Sequence, residues 1–325
     1  MIEKKSFWNR VLVGIAIFIV MAGMILADIY MPNWWIISGR AINSVIIYVL
    51  ILLSVVEMRR AFGKERIPDC FSWLLWLYGF GVGPAYSLFG FIGIIFFTLI
   101  VFICAVVTSL YANRADSLVY VACMLVYPGL FMASLLYINR CASTQTISAE
   151  MQQYVEKDIW QYLGYRESYL LPLNAIGLAL VFAVSSFTDV FAYFVGSLFG
   201  INKLCPQISP NKTIEGAVGG VFGGCLGSFL IFILFDFVKV FGAQYGLTFS
   251  GLGLSNASVA VVYSVIGFFG SIMTQIGDLL ASHVKRFCGI KDYSHVLGAH
   301  GGIMDRFDGI MLNALFISFV FMFII

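Results

Sequence analysis

The chain has 325 residues, of which 61% are hydrophobic and only 11% are charged, and its mean hydropathy is +0.94. These values exclude a soluble globular protein and indicate an integral membrane protein. The net charge of +2 indicates no particular partner, and we expect no nucleic acid among the partners.

Stretches of about 20 mostly apolar residues can cross a bilayer as helices. On this criterion the sequence predicts an all-α polytopic membrane protein with about nine transmembrane helices and a cytoplasmic N-terminus. The predicted spans cover residues 10–28, 36–57, 70–87, 88–111, 117–138, 168–200, 214–238, 258–281 and 303–325.

Three features of this assignment depend on local sequence. The third and fourth spans are separated because the run GFGVGPAY clusters Gly with Pro84, which favours a turn. The span 168–200 is long for a single crossing and carries Asp189, so we expect a break near Ser185 and Ser186. The first span follows basic residues as in a signal peptide, but it lacks a small-residue cleavage site and is predicted to be retained.

The spans divide the chain into three parts. An N-terminal transmembrane bundle (1–140) is followed by a polar segment (141–167) and a second transmembrane domain (168–325), which carries the charged loops. The stretch 139–167 is rich in Tyr and Trp, and it is either an interfacial amphipathic helix or a plain connecting loop. Most of the 19 Lys and Arg residues fall in loops that are cytoplasmic when the N-terminus is inside. This distribution predicts that both charged loops of the second domain face the cytoplasm.

Ionisable residues in apolar spans are energetically costly and usually functional. Asp189, Glu215 and Asp278 are therefore candidates, whereas Asp236, close to Lys239 at the outer end of its span, is predicted to be solvated.

Asp278 opens the run GDLLASHVKRF. Helical spacing places Ser282 and Lys285 on its face, which predicts a surface for phosphate and metal. The alternative is a helix end with solvated basic residues.

The stretch KDYSHVLGAHGGIMDRFD, residues 291–308, supplies complementary groups. Asp305 and Asp308 are three residues apart at a predicted helix start, and the preceding HGG allows backbone N–H groups to approach a ligand closely. Carboxylates lie on two segments, and the sequence has no C-x-x-C pair that would suit a softer metal. Such oxygen ligands suit a hard cation such as Mg²⁺. The basic residues nearby could neutralise phosphate oxygens, as phosphoryl and nucleotidyl transfer require.

The run SPNKTIEG, residues 209–216, is a second candidate phosphate site. Ser209, Pro210 and Thr213 predict a helix start, and Lys212 could hold a phosphate near that N-terminus. Glu215 is alternatively an ordinary first-turn carboxylate that the helix dipole favours. The glycines that follow, four residues apart, allow close helix contact and serve either a dimer interface or packing within one chain. The sequence has no G-x-x-x-x-G-K-[ST], H-E-x-x-H or G-x-S-x-G motif, which argues against ATPases and hydrolases.

The run SHVKRFCGIKDYSHVLGAHGGIMDRFD, residues 282–308, resembles the signature of the phosphatidate cytidylyltransferase (CDP-diacylglycerol synthase) family. It fills each fixed position of S-x-hydrophobic-K-R, then K-D, then H-G-G-x-x-D-R-x-D. TDVFAYFVGSLFG (188–200) and PQISPNKTIEGAVGG (206–220) resemble two further blocks of the family. The sequence departs at Ala281, where the family often has Glu, and at Asn211, where Lys is common.

The resemblance implies transfer of CMP from CTP to phosphatidate, with Mg²⁺ and possible participation of a second cation. It also implies a membrane lipid substrate, a homodimer, and an active site on the cytoplasmic side of a bacterial cytoplasmic membrane. The implied metal ligands are Asp278, Asp305 and Asp189. The implied catalytic residues, whose cations contact the phosphates, are Lys285, Arg286, Lys291, Asp292, Arg306 and Asp308. The implied substrate-binding residues are Ser209, Lys212, Thr213, Glu215, Ser282, His300, Gly301 and Gly302.

Other functions remain open at this point. A polyprenol or phytol kinase, or an ether-lipid cytidylyltransferase, would use the same charged groups. A cation-coupled transporter could use Asp189 and Asp278 in its pathway, but the sequence lacks paired broken helices in corresponding halves.

Overall fold

A computed structural model describes residues 2–30 (side chains from residue 15), 39–140, 142–143, 171–241, 255–297 and 301–324. Within these ranges, seven helices are long and apolar enough to cross a membrane. The predicted class, an all-α polytopic membrane protein, is confirmed. The number of spans and the orientation stay predictions.

The N-terminal half consists of helices that pack on one another and on the second half. Their bounds are α1 (Ile2–Tyr30), α2 (Gly39–Arg66), α3 (Ser72–Ala112), α4 (Ser117–Met124) and α5 (Phe131–Arg140). A wide helical turn joins α4 to α5, and the two form one candidate span. A pair of two-residue antiparallel strands follows, β1 (Ala142–Ser143) and β2 (Leu171–Pro172). Residues 144–170, where the amphipathic helix or loop was predicted, lie outside the described residues.

Helix α3 is a hairpin of two helical arms. Gly90 has φ 63° and ψ −150°, a conformation that glycine adopts most readily. The rings of Tyr78 and Phe97 stack at 6.2 Å, and Gly81 also contacts Phe97. A straight helix would separate Gly81 and Phe97 by about 24 Å. The chain therefore doubles back at Gly90, which agrees with the predicted separation of the third and fourth spans. The turn itself lies after GFGVGPAY and not within it, because Pro84 is inside the first arm.

The C-terminal half carries the charged motifs. Its elements are α6 (Asn174–Phe199), β3 (Lys203–Cys205), β4 (Ser209–Thr213), α7 (Ile214–Phe232), α8 (Asn256–Phe287) and α9 (Met304–Ile324). Helix α7 packs most extensively on α6 and also on α8, while α9 packs on α8 and on α5. Ser255 begins α8 by accepting a hydrogen bond from the Ser258 N–H at 3.3 Å.

Helix α6 is continuous, so the predicted break near Ser185 and Ser186 was wrong. The buried Ser185 hydroxyl bonds to neighbouring helices and leaves its own backbone ladder intact. It accepts a hydrogen bond from Asn313 Nδ2 on α9 at 3.0 Å and lies 3.2 Å from Thr274 Oγ1 on α8. Asn313 Nδ2 also donates to the Val181 carbonyl of α6 at 3.1 Å. These bonds connect α6, α8 and α9 inside the bundle.

The glycines of α7 are a packing seam within one chain. A Cβ at Gly223 would lie 2.5 Å from the Phe187 carbonyl oxygen of α6, and a Cβ at Gly224 would lie 2.4 Å from Ser271 Cβ of α8. Of the two alternatives that the spacing left open, intramolecular packing is therefore the one observed.

Asp236, expected to be solvated, is buried instead, with 2% of its surface exposed. Its Oδ2 accepts a hydrogen bond from the Tyr263 hydroxyl of α8 at 2.5 Å. The prediction failed because the partner lies on another helix, which sequence spacing does not reveal.

We expect Gly223→Ala to lower the midpoint of thermal unfolding in detergent, because the added methyl group forces α6 and α7 apart. Overpacking of this kind costs about 1–3 kcal/mol. Gly23→Ala on α1 is the matched control, since a Cβ there has no atom within 4 Å. Equal midpoints for the two variants would contradict the seam.

Candidate active site

An ion pair joins the hairpin of β3 and β4 to helix α8. Lys212 Nζ on β4 pairs with Asp278 Oδ2 on α8. Both side chains are about two-thirds buried, with 27% and 32% exposed. The Ser282 hydroxyl donates to the other oxygen of Asp278 at 3.5 Å. The predicted common face of Asp278 and Ser282 is thus present on α8.

The start of α7 differs in part from the prediction. Residues 209–213 form strand β4, which pairs antiparallel with β3, so Ser209 and Pro210 are extended and not helical. Thr213 alone is the N-cap, and its hydroxyl accepts a hydrogen bond from the Gly216 N–H at 3.1 Å. The hairpin carries Lys212 to Asp278 because β4 runs directly into α7.

Glu215 anchors the loop that follows α6. Its carboxylate accepts hydrogen bonds from the backbone N–H groups of Ile201 and Asn202 at 3.2 Å and from Asn202 Nδ2 at 2.8 Å. At the far side of the hairpin, Arg286 Nε donates to the Ile208 carbonyl at 3.4 Å. The hairpin therefore lies at the same end of the bundle as the C-terminal end of α8.

Three carboxylates from three helices converge near this end. Asp278 on α8 interacts electrostatically with Asp189 on α6 and with Asp308 on α9, and Asp189 and Asp308 also repel each other. Helices α8 and α9 approach closely here, since a Cβ at Gly277 would lie 2.5 Å from the Asp308 carbonyl oxygen. We refer to Asp189, Asp278 and Asp308 as the carboxylate cluster.

Basic side chains surround the carboxylate cluster. Lys212 and Arg306 attract Asp189, and Lys285 attracts Asp308. The end of the bundle thus combines carboxylates from α6, α8 and α9 with cations from β4, α8 and α9. Such a set can hold a polyanion through its cations and a hard metal ion through its carboxylates.

Asp305 has a different environment from the carboxylate cluster. Its Oδ1 pairs with Lys285 Nζ at 2.8 Å, with only 15% of Lys285 and 4% of Asp305 exposed. Its Oδ2 accepts hydrogen bonds from the Tyr293 N–H at 2.8 Å and the Gly302 N–H at 2.9 Å. Asp305 therefore organises the loop between α8 and α9, and metal ligation by Asp305 stays a prediction.

Tyr293 closes this loop against α8. Its hydroxyl donates to the Ala281 carbonyl at 3.1 Å, and Lys285 Nζ lies 5.5 Å from the centre of its ring. Burial raises the pKa of the Tyr293 phenol, which keeps the phenol neutral and available as a donor.

Glu57 of α2 also contacts this loop and was missed by the sequence analysis. Its carboxylate accepts hydrogen bonds from Ser294 Oγ at 2.5 Å, the Ile303 N–H at 3.0 Å and the Met304 N–H at 2.9 Å. A sequence signal was present, because Glu57 is an acid at the end of the predicted span 36–57, but the sequence does not show which loop it contacts.

The remaining predicted residues lie in or near the same loop. Lys291 and Asp292 are exposed between α8 and α9. Gly301 has φ 79°, and a Cβ there would lie 2.6 Å from Asp305 Oδ2. His300 lies outside the described residues.

The donor set fits a hard cation such as Mg²⁺. The part of the chain that the structure describes contains no group of three or more His, Cys, Asp or Glu side chains placed to enclose a metal ion. Mg²⁺ does not need such a cage, because it is usually bound by one or two carboxylates together with substrate phosphates and water.

Comparison with known proteins gives concordant results. Residues 8–324 match a family model described as the cytidylyltransferase family. The chain is 35% identical over 153 residues to a phosphatidate cytidylyltransferase of Staphylococcus saprophyticus, which is 46% of this chain and 52% of the relative. The protein of the same name from Staphylococcus haemolyticus is 37% identical over 153 residues, which again is 46% of this chain and 52% of the relative. The matched region thus spans about half the length of these relatives.

We expect Asp305→Asn to be strongly destabilising. It leaves the buried Lys285 ammonium without its ion-pair partner, and breaking a buried pair costs about 3–5 kcal/mol. Asp69→Asn is the matched control, because Asp69 pairs with Arg59 and Lys64 but is 63% exposed, and exposed pairs contribute about 0–1 kcal/mol. Unfolding midpoints in detergent test this difference, and a loss for Asp305→Asn no larger than for Asp69→Asn would refute the anchoring role.

Proposed function

This chain belongs to the cytidylyltransferase family, and from that premise we propose that it transfers CMP from CTP to phosphatidate, giving CDP-diacylglycerol and pyrophosphate. The names of its relatives support phosphatidate as the acceptor. The observation that carries the proposal is the ion pair of Lys212 with Asp278, which joins two separate sequence motifs at one end of an apolar bundle.

The reaction requires no nucleophile from the protein. An oxygen of the phosphatidate phosphate attacks the α-phosphorus of CTP and forms a new P–O bond. The bond from the α-phosphorus to the oxygen that bridges the α- and β-phosphates breaks, and its electron pair leaves with pyrophosphate. What the protein must supply is alignment of two anions and stabilisation of their charge.

The cations around the carboxylate cluster are suited to that task. Lys212 comes from the hairpin, Lys285 from α8 and Arg306 from the first turn of α9, so three separate elements contribute cations near the carboxylate cluster. Arg286 extends the basic surface towards the hairpin, where it contacts the Ile208 carbonyl. We assign these four side chains to binding the phosphates of CTP and of the lipid.

We assign the cation to Asp278 with Asp189 or Asp308. When bound, Mg²⁺ would supply neutralisation of phosphate charge and polarisation of the phosphoryl group. The Ser282 hydroxyl, which donates to Asp278, orients that carboxylate.

Location and assembly are part of the same proposal. The apolar helices place the protein in a membrane, and the Lys and Arg distribution supports an active site on the cytoplasmic side of the cytoplasmic membrane of a bacterium. The family resemblance supports a homodimer.

We expect the detergent-purified protein to transfer label from cytosine-tritiated CTP to phosphatidate in the presence of Mg²⁺. Label in the γ-phosphate of CTP should not enter the lipid, because it leaves with pyrophosphate. Thin-layer chromatography of the extracted lipid measures both.

The converse labelling pattern would overturn the proposal. Lipid that gains γ-phosphate without cytosine identifies a kinase, and ion flux in proteoliposomes without CTP, with no lipid product, identifies a transporter. Chelation of Mg²⁺ should abolish transfer, and added Mg²⁺ should restore it.

We expect Asp278→Asn to lower kcat/KM for CMP transfer at least about a hundredfold, which corresponds to about 2.7 kcal/mol of transition-state stabilisation. The amide removes the charge that pairs with Lys212 and that would bind the cation. Asp116→Asn in the loop between α3 and α4 is the control. Asp116 is exposed, and it is distant in sequence from the charged motifs. Activity of Asp278→Asn within tenfold of wild type, with unchanged thermal stability, would remove Asp278 from the site.

A further inference from the structure

We propose that Glu57 of helix α2 is a positioning residue, which fixes the start of α9 and thereby sets Arg306 and Asp308 in place for the reaction. The inference rests on the proposed function for its kinetic consequence. Its structural part rests only on the contacts of Glu57.

The Glu57 side chain is almost completely buried, with 2% exposed. Its three donors are the hydroxyl of Ser294 and the N–H groups of Ile303 and Met304. None of the ion pairs among the described residues includes Glu57. The buried carboxylate is therefore accommodated by these donors from the loop between α8 and α9.

The contacts of Glu57 are those of a helix cap supplied by another helix. Helix α9 begins at Met304, so the N–H groups at its start have no partner within the helix. A carboxylate at that position satisfies such donors and interacts favourably with the helix dipole. Hydrogen bonds to an ionised acceptor are about twice as strong as neutral ones, so the register of the first turn of α9 is tied to α2.

The glycines of the HGG motif fit this arrangement. A Cβ at Gly302 would lie 2.5 Å from Glu57 Oε2, and a Cβ at Gly301 would lie 2.6 Å from Asp305 Oδ2. Each glycine therefore leaves room for one carboxylate of the protein itself. A side chain at Gly302 would therefore displace the Glu57 carboxylate from its present position.

The position that Glu57 gives to the start of α9 also affects the carboxylate cluster. Arg306 and Asp308 stand in the first turns of α9, directly after the anchored Met304. The Asp308 carbonyl is packed against Gly277, next to Asp278. A shift at the start of α9 would therefore move Asp308 relative to Asp278 and Arg306 relative to Asp189.

The first test is a kinetic comparison of Glu57→Gln, Glu57→Asp and the control Glu65→Gln, which changes an exposed acid on the same helix. Glutamine keeps the shape, but its amide nitrogen cannot accept, so at least one donor loses its partner. We expect Glu57→Gln to raise the CTP and Mg²⁺ concentrations for half-maximal rate at least fivefold and to lower kcat at least tenfold. Glu57→Asp should be intermediate and Glu65→Gln unchanged.

These quantities separate positioning from general destabilisation. A smaller folded fraction lowers the maximal rate but leaves the half-saturating concentrations unchanged. Unchanged half-saturating concentrations in Glu57→Gln would overturn the kinetic part of the proposal. If Glu57→Gln does not fold, Ser294→Ala removes one of the three donors, and the same shift at smaller size is expected; no shift would overturn the proposal.

The second test does not depend on activity. Amide hydrogen exchange at Ile303 and Met304 should accelerate at least tenfold in Glu57→Gln and not in Glu65→Gln. If wild type transfers no CMP while exchange accelerates, the proposed function fails and the anchor stands. If wild type transfers CMP while exchange in Glu57→Gln is unchanged, the function stands and the anchor fails.

Discussion

An ionised side chain inside an apolar helix bundle requires a partner, and the arrangement of this end of the molecule depends on that requirement. Lys212 pairs with Asp278, Lys285 pairs with Asp305, and Glu57 receives three donors from one loop. Each of these contacts connects two separate elements of the fold. The charges that can serve chemistry therefore also hold the hairpin and the loop in place.

The helices supply a rigid frame for those charges. Ser185, Thr274 and Asn313 bond to one another across α6, α8 and α9, and the carboxylates of the cluster lie about one turn from them along each helix. The glycines of α7 allow α6 and α8 to approach it closely. Small residues and buried hydroxyls thus fix the distances between carboxylates, because helix packing in a membrane relies on close contact and interhelical hydrogen bonds.

The two halves of the chain contribute differently to the site. The C-terminal half provides the groups that can meet phosphates and a cation. The N-terminal half, which the family model also covers, provides Glu57 to the loop that precedes α9. A buried acid from the first half therefore belongs to the framework of the second.

The sequence by itself determined the membrane class, because composition and the length of apolar runs follow directly from the cost of exposing backbone to lipid. It also identified the segments with Lys212, Asp278, Lys285 and Asp305, because a charge in an apolar run is visible without a structure. Only the tertiary structure decided the partners: Lys285 with Asp305, Glu57 with the start of α9, and Asp236 with Tyr263. Periodicity places residues on a face of one helix, but pairing depends on which face meets which neighbour. The same reason explains the continuous α6, since the Ser185 hydroxyl that suggested a break bonds to two other helices.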